Sequence, residues 1–239
     1  MTVILLLLTS FVSAFIQSTT GFGYAIMFMA ITPYFLPYNV ASVLSLATSP
    51  VGNVANVFRR IKNVNWKQVI IPMLFATAST YIAIELTKSL ELATMRRILG
   101  CLLFFLAIWF MFFSGKVKIK PTLLNCAIAG LISGTGGGLF SISGPPMVVY
   151  YLSALKDKEE YMATIQTYFF FNNLVTIGMR IITGTFPSFS VFMFFATVAG
   201  LLSGVMFGQK VYSKLNGDAM KKYVYGFMAL SGLWIVIGG

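Results

Sequence analysis

Residues 133–146 read SGTGGGLFSISGPP, and they lie in a stretch that carries no charged side chain from Pro121 to Leu155. In a helix interior glycine costs about 1 kcal/mol and proline about 3 kcal/mol relative to alanine. A tract rich in both is therefore predicted to interrupt a helix. Irregular backbone at membrane depth persists only where protein encloses it or where it lines a polar cavity. The tract thus predicts a helix break enclosed by other helices.

The rest of the chain agrees with a membrane setting. Of 239 residues, 58% are hydrophobic and 10% charged, and the mean hydropathy is +0.85. This is the composition of an integral membrane protein. No Asp, Glu, Lys, Arg or His occurs from Met1 to Phe58, and one span needs about 20 residues, so that run crosses or enters the bilayer more than once. The net charge is +11, but the Lys and Arg residues fall between apolar runs rather than along one face. They read as topology-setting loop charges, and nucleic acid is not an expected partner. Cys101 and Cys126 sit in apolar segments without metal-ligand spacing and read as reduced packing residues. The start, MTVILLLLTSFVSA, has the small-residue end of a signal peptide at Val12, Ser13 and Ala14. It lacks a positive n-region and its apolar run continues, so it is taken as the first span.

Apolar windows bounded by charges, Pro and Gly give segments at 2–19, 22–36, 39–58, 68–87, 98–114, 122–135, 138–154, 161–179, 190–207 and 223–239. The pairs 2–19 with 22–36, and 122–135 with 138–154, are either thin double passes or re-entrant hairpins. The expected fold is an all-α integral membrane protein of 8–10 transmembrane segments, forming a single transmembrane domain over 1–239 with glycine-interrupted helices or hairpins.

Two repeats are expected, the first over about 1–115 and the second over about 121–239. Thr20, Gly21 and Gly23 align with Thr135, Gly136 and Gly138; Phe75-Ala76-Thr77 recurs at Phe195-Ala196-Thr197; Met95-Arg96-Arg97 with Trp109 recurs as Met220-Lys221-Lys222 with Trp234. The loop at 59–67 carries Arg59, Arg60, Lys62 and Lys67, whereas its counterpart at 180–190 carries only Arg180. That asymmetry fits inverted repeats. Cytoplasmic loops at 59–67, 115–121 and 208–222 would put both termini outside, although the basic loop at 88–97 then breaks the positive-inside rule.

The chain has no His, and its acids are Glu85, Glu91, Asp157, Glu159, Glu160 and Asp218. An enzyme relying on acid/base, zinc or Ser-His-Asp chemistry is not supported, and neither a metal nor a cofactor is called for. Glu85 lies in an apolar window and is read as either a span-end partner of Lys88 or a proton-coupling group. Arg180, in TIGMRIITG, is either a ligand for an anion or a residue reaching to the headgroups. Uncharged polar residues collect at Ser49, Asn53 and Asn56 and at Gln166, Thr167, Asn172 and Asn173, as interhelical ties or as ligand donors. The glycine tracts suit either close helix packing or a helix end that presents N–H groups to an anion. In the second reading Gly134 to Gly138 supply the turn, Ser133 and Thr135 add hydroxyl donors, and Pro145 and Pro146 bend or end the following helix.

TTGFGYAIMFMAITP at 19–33 and GLISGTGGGLFSISGPPMVVYYL at 130–152 together resemble the TauE/SafE sulfite exporter family, also called toluene sulfonate uptake permeases. The resemblance covers nearly the whole chain. It implies a multi-pass transporter of small anions, sulfur oxyanions or organosulfonates, in a prokaryotic cytoplasmic (inner) membrane. The family's glycine motifs fall on Gly21, Gly23, Gly134 and Gly136 to Gly138, with prolines at Pro33 and Pro146; Phe22 stands where the second half has Gly137.

The leading expectation is a secondary transporter of a small inorganic or organic anion working by alternating access, with the two glycine-rich helix ends facing each other. Its expected site comprises Thr20, Gly21, Gly23, Asn53, Asn56, Ser133, Gly134, Thr135, Gly136, Gly137, Gly138, Gln166, Asn172, Asn173 and Arg180. No GxxxxGK[ST] motif is present, so H+ or Na+ is the expected coupling ion. A passive anion channel and a membrane scaffold subunit are the alternatives.

Overall fold

The computed structural model of the chain describes residues 1–20, 23–113, 119–155, 157–211 and 217–238; for residues 19, 20, 55, 56, 59, 211, 217–223 and 238 it describes the backbone alone. The described residues form ten α-helices: α1 (Thr2–Thr20), α2 (Tyr24–Ile31), α3 (Tyr38–Arg60), α4 (Trp66–Thr87), α5 (Leu92–Phe113), α6 (Leu123–Phe140), α7 (Gly144–Ala154), α8 (Lys158–Ile182), α9 (Val191–Val211) and α10 (Gly217–Gly238). Four of them, α4, α5, α6 and α9, have both the length and the apolar composition to cross a bilayer. The longer helices α3 and α8 are more polar because they carry the amides and Arg180. With 8 and 11 residues, α2 and α7 rise about 12 and 16 Å at 1.5 Å per residue, roughly half of a ~30 Å hydrocarbon layer.

The helices form two compact units, one of Met1–Thr48, Leu90–Ser114 and Pro187–Gly239, the other of Ser49–Ser89 and Gly115–Phe186. Each unit takes segments from both halves of the sequence. In the first, α1 packs along α9, where Gly200, Gly204 and Gly208 admit the backbone carbonyls of Leu7, Phe11 and Phe15. Helices α5 and α10 cross at Gly100 and Gly232, each glycine lying against the other's carbonyl oxygen. Ser10 Oγ donates to the Thr197 carbonyl at 2.6 Å, so the Tyr24 hydroxyl, 2.9 Å away, donates to Ser10. Leu6, Ala14, Tyr24, Phe28, Leu44 and Leu201 form the apolar core around that contact.

The second unit is organised around α6 on α4. Gly130, Gly134 and Gly138 recur every four residues along one side of α6. A Cβ at Gly130 would stand 2.5 Å from the Pro72 carbonyl oxygen, one at Gly134 would collide with the Ala76 carbonyl, and one at Gly138 would lie 2.8 Å from the Thr80 carbonyl. Thr80 Oγ1 ties the pair further by donating to the Gly134 carbonyl at 3.1 Å. Small residues let two backbones approach this closely, which is the main source of helix association where lipid removes the hydrophobic drive.

Pro72 lies inside α4 and cannot supply the N–H that would bond the Gln68 carbonyl. Tyr151 of α7 fills that vacancy: its hydroxyl donates to Gln68 O at 2.6 Å, while the neighbouring Tyr150 hydroxyl donates to Gln68 Oε1 at 3.0 Å. At the polar end, Asn65 caps α4 through the Gln68 N–H, donates Nδ2 to Glu160, and gives its own N–H to Thr164 Oγ1 of α8. Cys101 and Cys126 are free thiols; Cys126 is buried, as a packing residue would be, whereas Cys101 is exposed and does not follow that reading.

Two stability measurements in detergent check these contacts. Tyr151→Phe should cost about 1–3 kcal/mol by stranding the Gln68 carbonyl. Adding Pro72→Ala should recover part of that loss by restoring the missing N–H, whereas independent, additive losses would contradict the assignment. Gly134→Ala should lower the thermal midpoint because of the Ala76 carbonyl. Gly178→Ala, in helix α8 with open space around it, should be neutral or stabilising by up to about 1 kcal/mol. Equal effects would remove the close-packing argument.

Candidate functional site

The break in the second unit is displaced from its expected place. Helix α6 runs unbroken through Gly134 to Gly138 and ends at Phe140; the expected turn at those glycines is not formed. Helical hydrogen bonds satisfy the backbone there, and the close approach of α4 offsets the low helix propensity of glycine. The interruption is Ser141 to Ser143. Ser141 takes the left-handed conformation, φ 59° and ψ 22°, the common way to close a helix although usually at glycine. Its N–H bonds the Gly137 carbonyl at 3.0 Å, and the Ile142 N–H bonds the Gly136 carbonyl at 3.1 Å. Pro145 and Pro146 begin α7 instead of ending it, in the first turn where a missing N–H is tolerated. They also remove two of the donors that a free helix start would offer.

Ser133 and Tyr168 hold the break in place. Ser133 Oγ donates to the Ser143 carbonyl at 2.7 Å, so the Tyr168 hydroxyl, 2.9 Å from the same oxygen, must be the donor of that second bond. The single hydroxyl proton of Ser133 is thus committed to the protein. Thr135 is exposed and bonds the Leu131 carbonyl of its own helix at 2.9 Å. Gly134 and Gly138 face α4, Gly136 faces the Ile142 carbonyl, and Gly137 faces Ser143 and Asn172.

Helix α8 supplies the polar side chains. Asn172 is 1% exposed, and neither atom of its amide has a hydrogen-bond partner among the described residues. Its Nδ2 would lie 3.5 Å from a Cβ on Gly137, and the Ser143 Cβ would lie 3.4 Å from the same point. The amide therefore sits at the break. Gln166 Oε1 and Thr167 Oγ1 are likewise buried and unpartnered among the described residues. Leaving such a group unbonded costs about 1–3 kcal/mol, so this concentration is a sign of a site. Asn173 and Asn53 are also buried in this unit.

The two readings of Arg180 are separated by its burial. At 3% exposure it does not reach headgroups, and among the described residues it is the charged side chain in the buried class. Its Nη2 donates to the Gly138 carbonyl at 2.7 Å, one of the last carbonyls of α6. The end of α6 and the start of α7 carry opposite partial charges of roughly half a unit, which largely cancel where they meet. Glu85 pairs with Lys88 at 2.8 Å and Glu159 with Arg60 at 2.9 Å, both partly exposed, and Asp157 caps α8 through the Glu160 N–H. Glu85 thus follows its span-end reading, and Arg60, at the C-terminal end of α3, is partly exposed and paired with Glu159.

Gly23, in the first unit, precedes α2 with φ 108° and ψ 4°, a conformation that favours glycine. Gly21 lies outside the described residues, as do the side chains of Thr20 and Asn56. Sequence reasoning missed Tyr168 and Ser143. Tyr168 stands one helical turn before Asn172 in QTYFFFNN and so shares its face; Ser143 carries no comparable signal.

The family model described as Sulfite exporter TauE/SafE matches residues 6–235. The comparisons found no match among curated proteins and none among solved structures. A match over almost the entire chain, on an all-helical membrane protein, shows that the chain belongs to the TauE/SafE sulfite exporter family, whose members are membrane transporters of sulfur anions such as sulfite and not enzymes.

Proposed function

We propose that the chain is a secondary carrier that moves a small sulfur oxyanion or organosulfonate by alternating access, with the Ser141–Ser143 break as a binding region. The observation that carries this reading is the Asn172 amide, 1% exposed and unpartnered among the described residues, beside a break whose Gly138 carbonyl receives the buried Arg180 guanidinium. Backbone polarity, one fixed charge and unbonded amides are what a desolvated anion needs in hydrocarbon. In this reading Asn172 and Gln166 contact the anion, and Asn173 and Asn53 line its surroundings. Ser133 and Tyr168 position the break.

The same reading places the protein in a prokaryotic cytoplasmic membrane with 8–10 passes, α2 and α7 being the half-length partners of α1 and α6. It is driven by H+ or Na+; Glu85, held by Lys88, is not the coupling group. A duplicated origin is supported by the pairings α1 with α9 and α4 with α6. If α1 corresponds to α6 and α4 to α9, these are the same contact, lined by glycines in both cases. Inversion of the second copy follows from the loop charges.

The test is counterflow of radiolabelled sulfite into proteoliposomes. The wild-type chain should show saturable uptake accelerated by internal substrate. Arg180→Gln should reduce it at least about ten-fold, as expected for loss of a charge-assisted interaction. Unsaturated conductive flux would indicate a channel, and wild-type rates in Arg180→Gln would remove the break from the pathway.

A further inference from the structure

Resting on the anion-carrier reading, we infer that the space left beside Gly137 is the seat of one oxygen of the transported oxyanion, and that the Asn172 amide donates to it there. Gly137 is the member of the glycine tract kept small for the ligand and not for helix packing.

The tract contains two kinds of position. A Cβ at Gly130 or Gly138 would stand 2.5 or 2.8 Å from a carbonyl oxygen of α4, one at Gly134 would collide with the Ala76 carbonyl, and one at Gly136 with the Ile142 carbonyl. Backbone blocks each of these, so close approach requires glycine there. Gly137 differs. Among the described residues a Cβ at this position would meet Ser143 Cβ at 3.4 Å and Asn172 Nδ2 at 3.5 Å, which is ordinary van der Waals contact. Nor does backbone conformation call for glycine, because the described glycines with positive φ are Gly23 and Gly184. A helix interior favours alanine over glycine. Packing and conformation therefore leave the missing methyl group of Gly137 unexplained, and the space it would fill lies at the break.

The second observation concerns what borders that space, and it is independent of the first. Asn172 is 1% exposed and neither end of its amide has a partner among the described residues, although buried amides are bonded in the large majority of cases. Since no protein bond holds either end, the amide presents its NH2 group to the space without breaking one. An oxygen there accepts that donor at about 2.9 Å, roughly half an ångström nearer the amide than a Cβ would be. An oxyanion oxygen is close in size to the absent methyl group, and it supplies the acceptor that the protein withholds.

The experiment uses the full-length chain in detergent and reads two quantities, the thermal midpoint and, by calorimetry, the affinities for sulfite, thiosulfate and ethanesulfonate. Gly137→Ala should keep or raise the midpoint while weakening each anion that the wild type binds by at least about ten-fold. Gly178→Ala, with open space around it, should bind as the wild type does. In an Asn172→Leu chain binding should already be weak, and adding Gly137→Ala should weaken it no further, because both changes remove one contact. Wild-type affinities in Gly137→Ala would overturn the seat and leave water as its occupant. A midpoint lowered as far as that of Gly134→Ala would also overturn it, by showing that packing requires the glycine. Additive losses in the double variant would overturn the pairing with Asn172. Failure of the wild-type chain to bind any of the three anions would instead overturn the anion-carrier reading itself.

Discussion

The bond from Arg180 to the Gly138 carbonyl, 2.7 Å long and almost wholly shielded from solvent, is the constraint on which the second unit depends. A guanidinium in a membrane interior is stable only where backbone or side-chain oxygens receive its protons. A helix C-terminus supplies such oxygens, because its last carbonyls have no partner within the helix. Arg180 and the end of α6 therefore answer each other's requirement. The guanidinium thereby lies next to the interruption between α6 and α7.

Holding a break so that its ends stay fixed requires rigid neighbours. The glycine stripe of α6 brings its backbone against the carbonyls of α4, the Ser133–Tyr168 pair fastens the Ser143 carbonyl, and Tyr151 fastens α7 to the carbonyl that Pro72 leaves open. These contacts satisfy polar groups within the protein, whereas the Asn172 amide, Gln166 Oε1 and Thr167 Oγ1 are left without partners among the described residues. In the carrier reading, these unbonded groups beside rigidly held helix ends are what a ligand would meet.

Much of this was legible in the residues. Charges, prolines and glycines located all ten segments because a charge in hydrocarbon is costly, but the starts of α5, α7 and α10 lie six positions from those expected, α5 and α10 running through the basic pairs Arg96-Arg97 and Lys221-Lys222. The Glu85–Lys88 pair followed from helical spacing. The position of the break did not follow, since glycine tracts serve turns and close packing equally. Only the proximity of α4 shows that Gly130, Gly134 and Gly138 do the second. For the same reason Thr135, expected as a donor, faces outward, and Ser133 is occupied by Ser143. The buried state of Arg180 was equally hidden, because distance from a segment end says little about which way a long side chain turns. The two compact units mix segments from both sequence halves, a long-range pairing that local periodicity does not encode.

The most direct measurement of the central claim is an anomalous diffraction map from crystals grown with selenite, an oxyanion that carries a heavy scatterer. The account predicts a selenium peak whose oxygens lie within hydrogen-bond distance of the Asn172 amide, next to Gly137 and Ser143, with Arg180 still on the Gly138 carbonyl. Selenium bound only at sites remote from Asn172, with that amide still unpartnered, would contradict it.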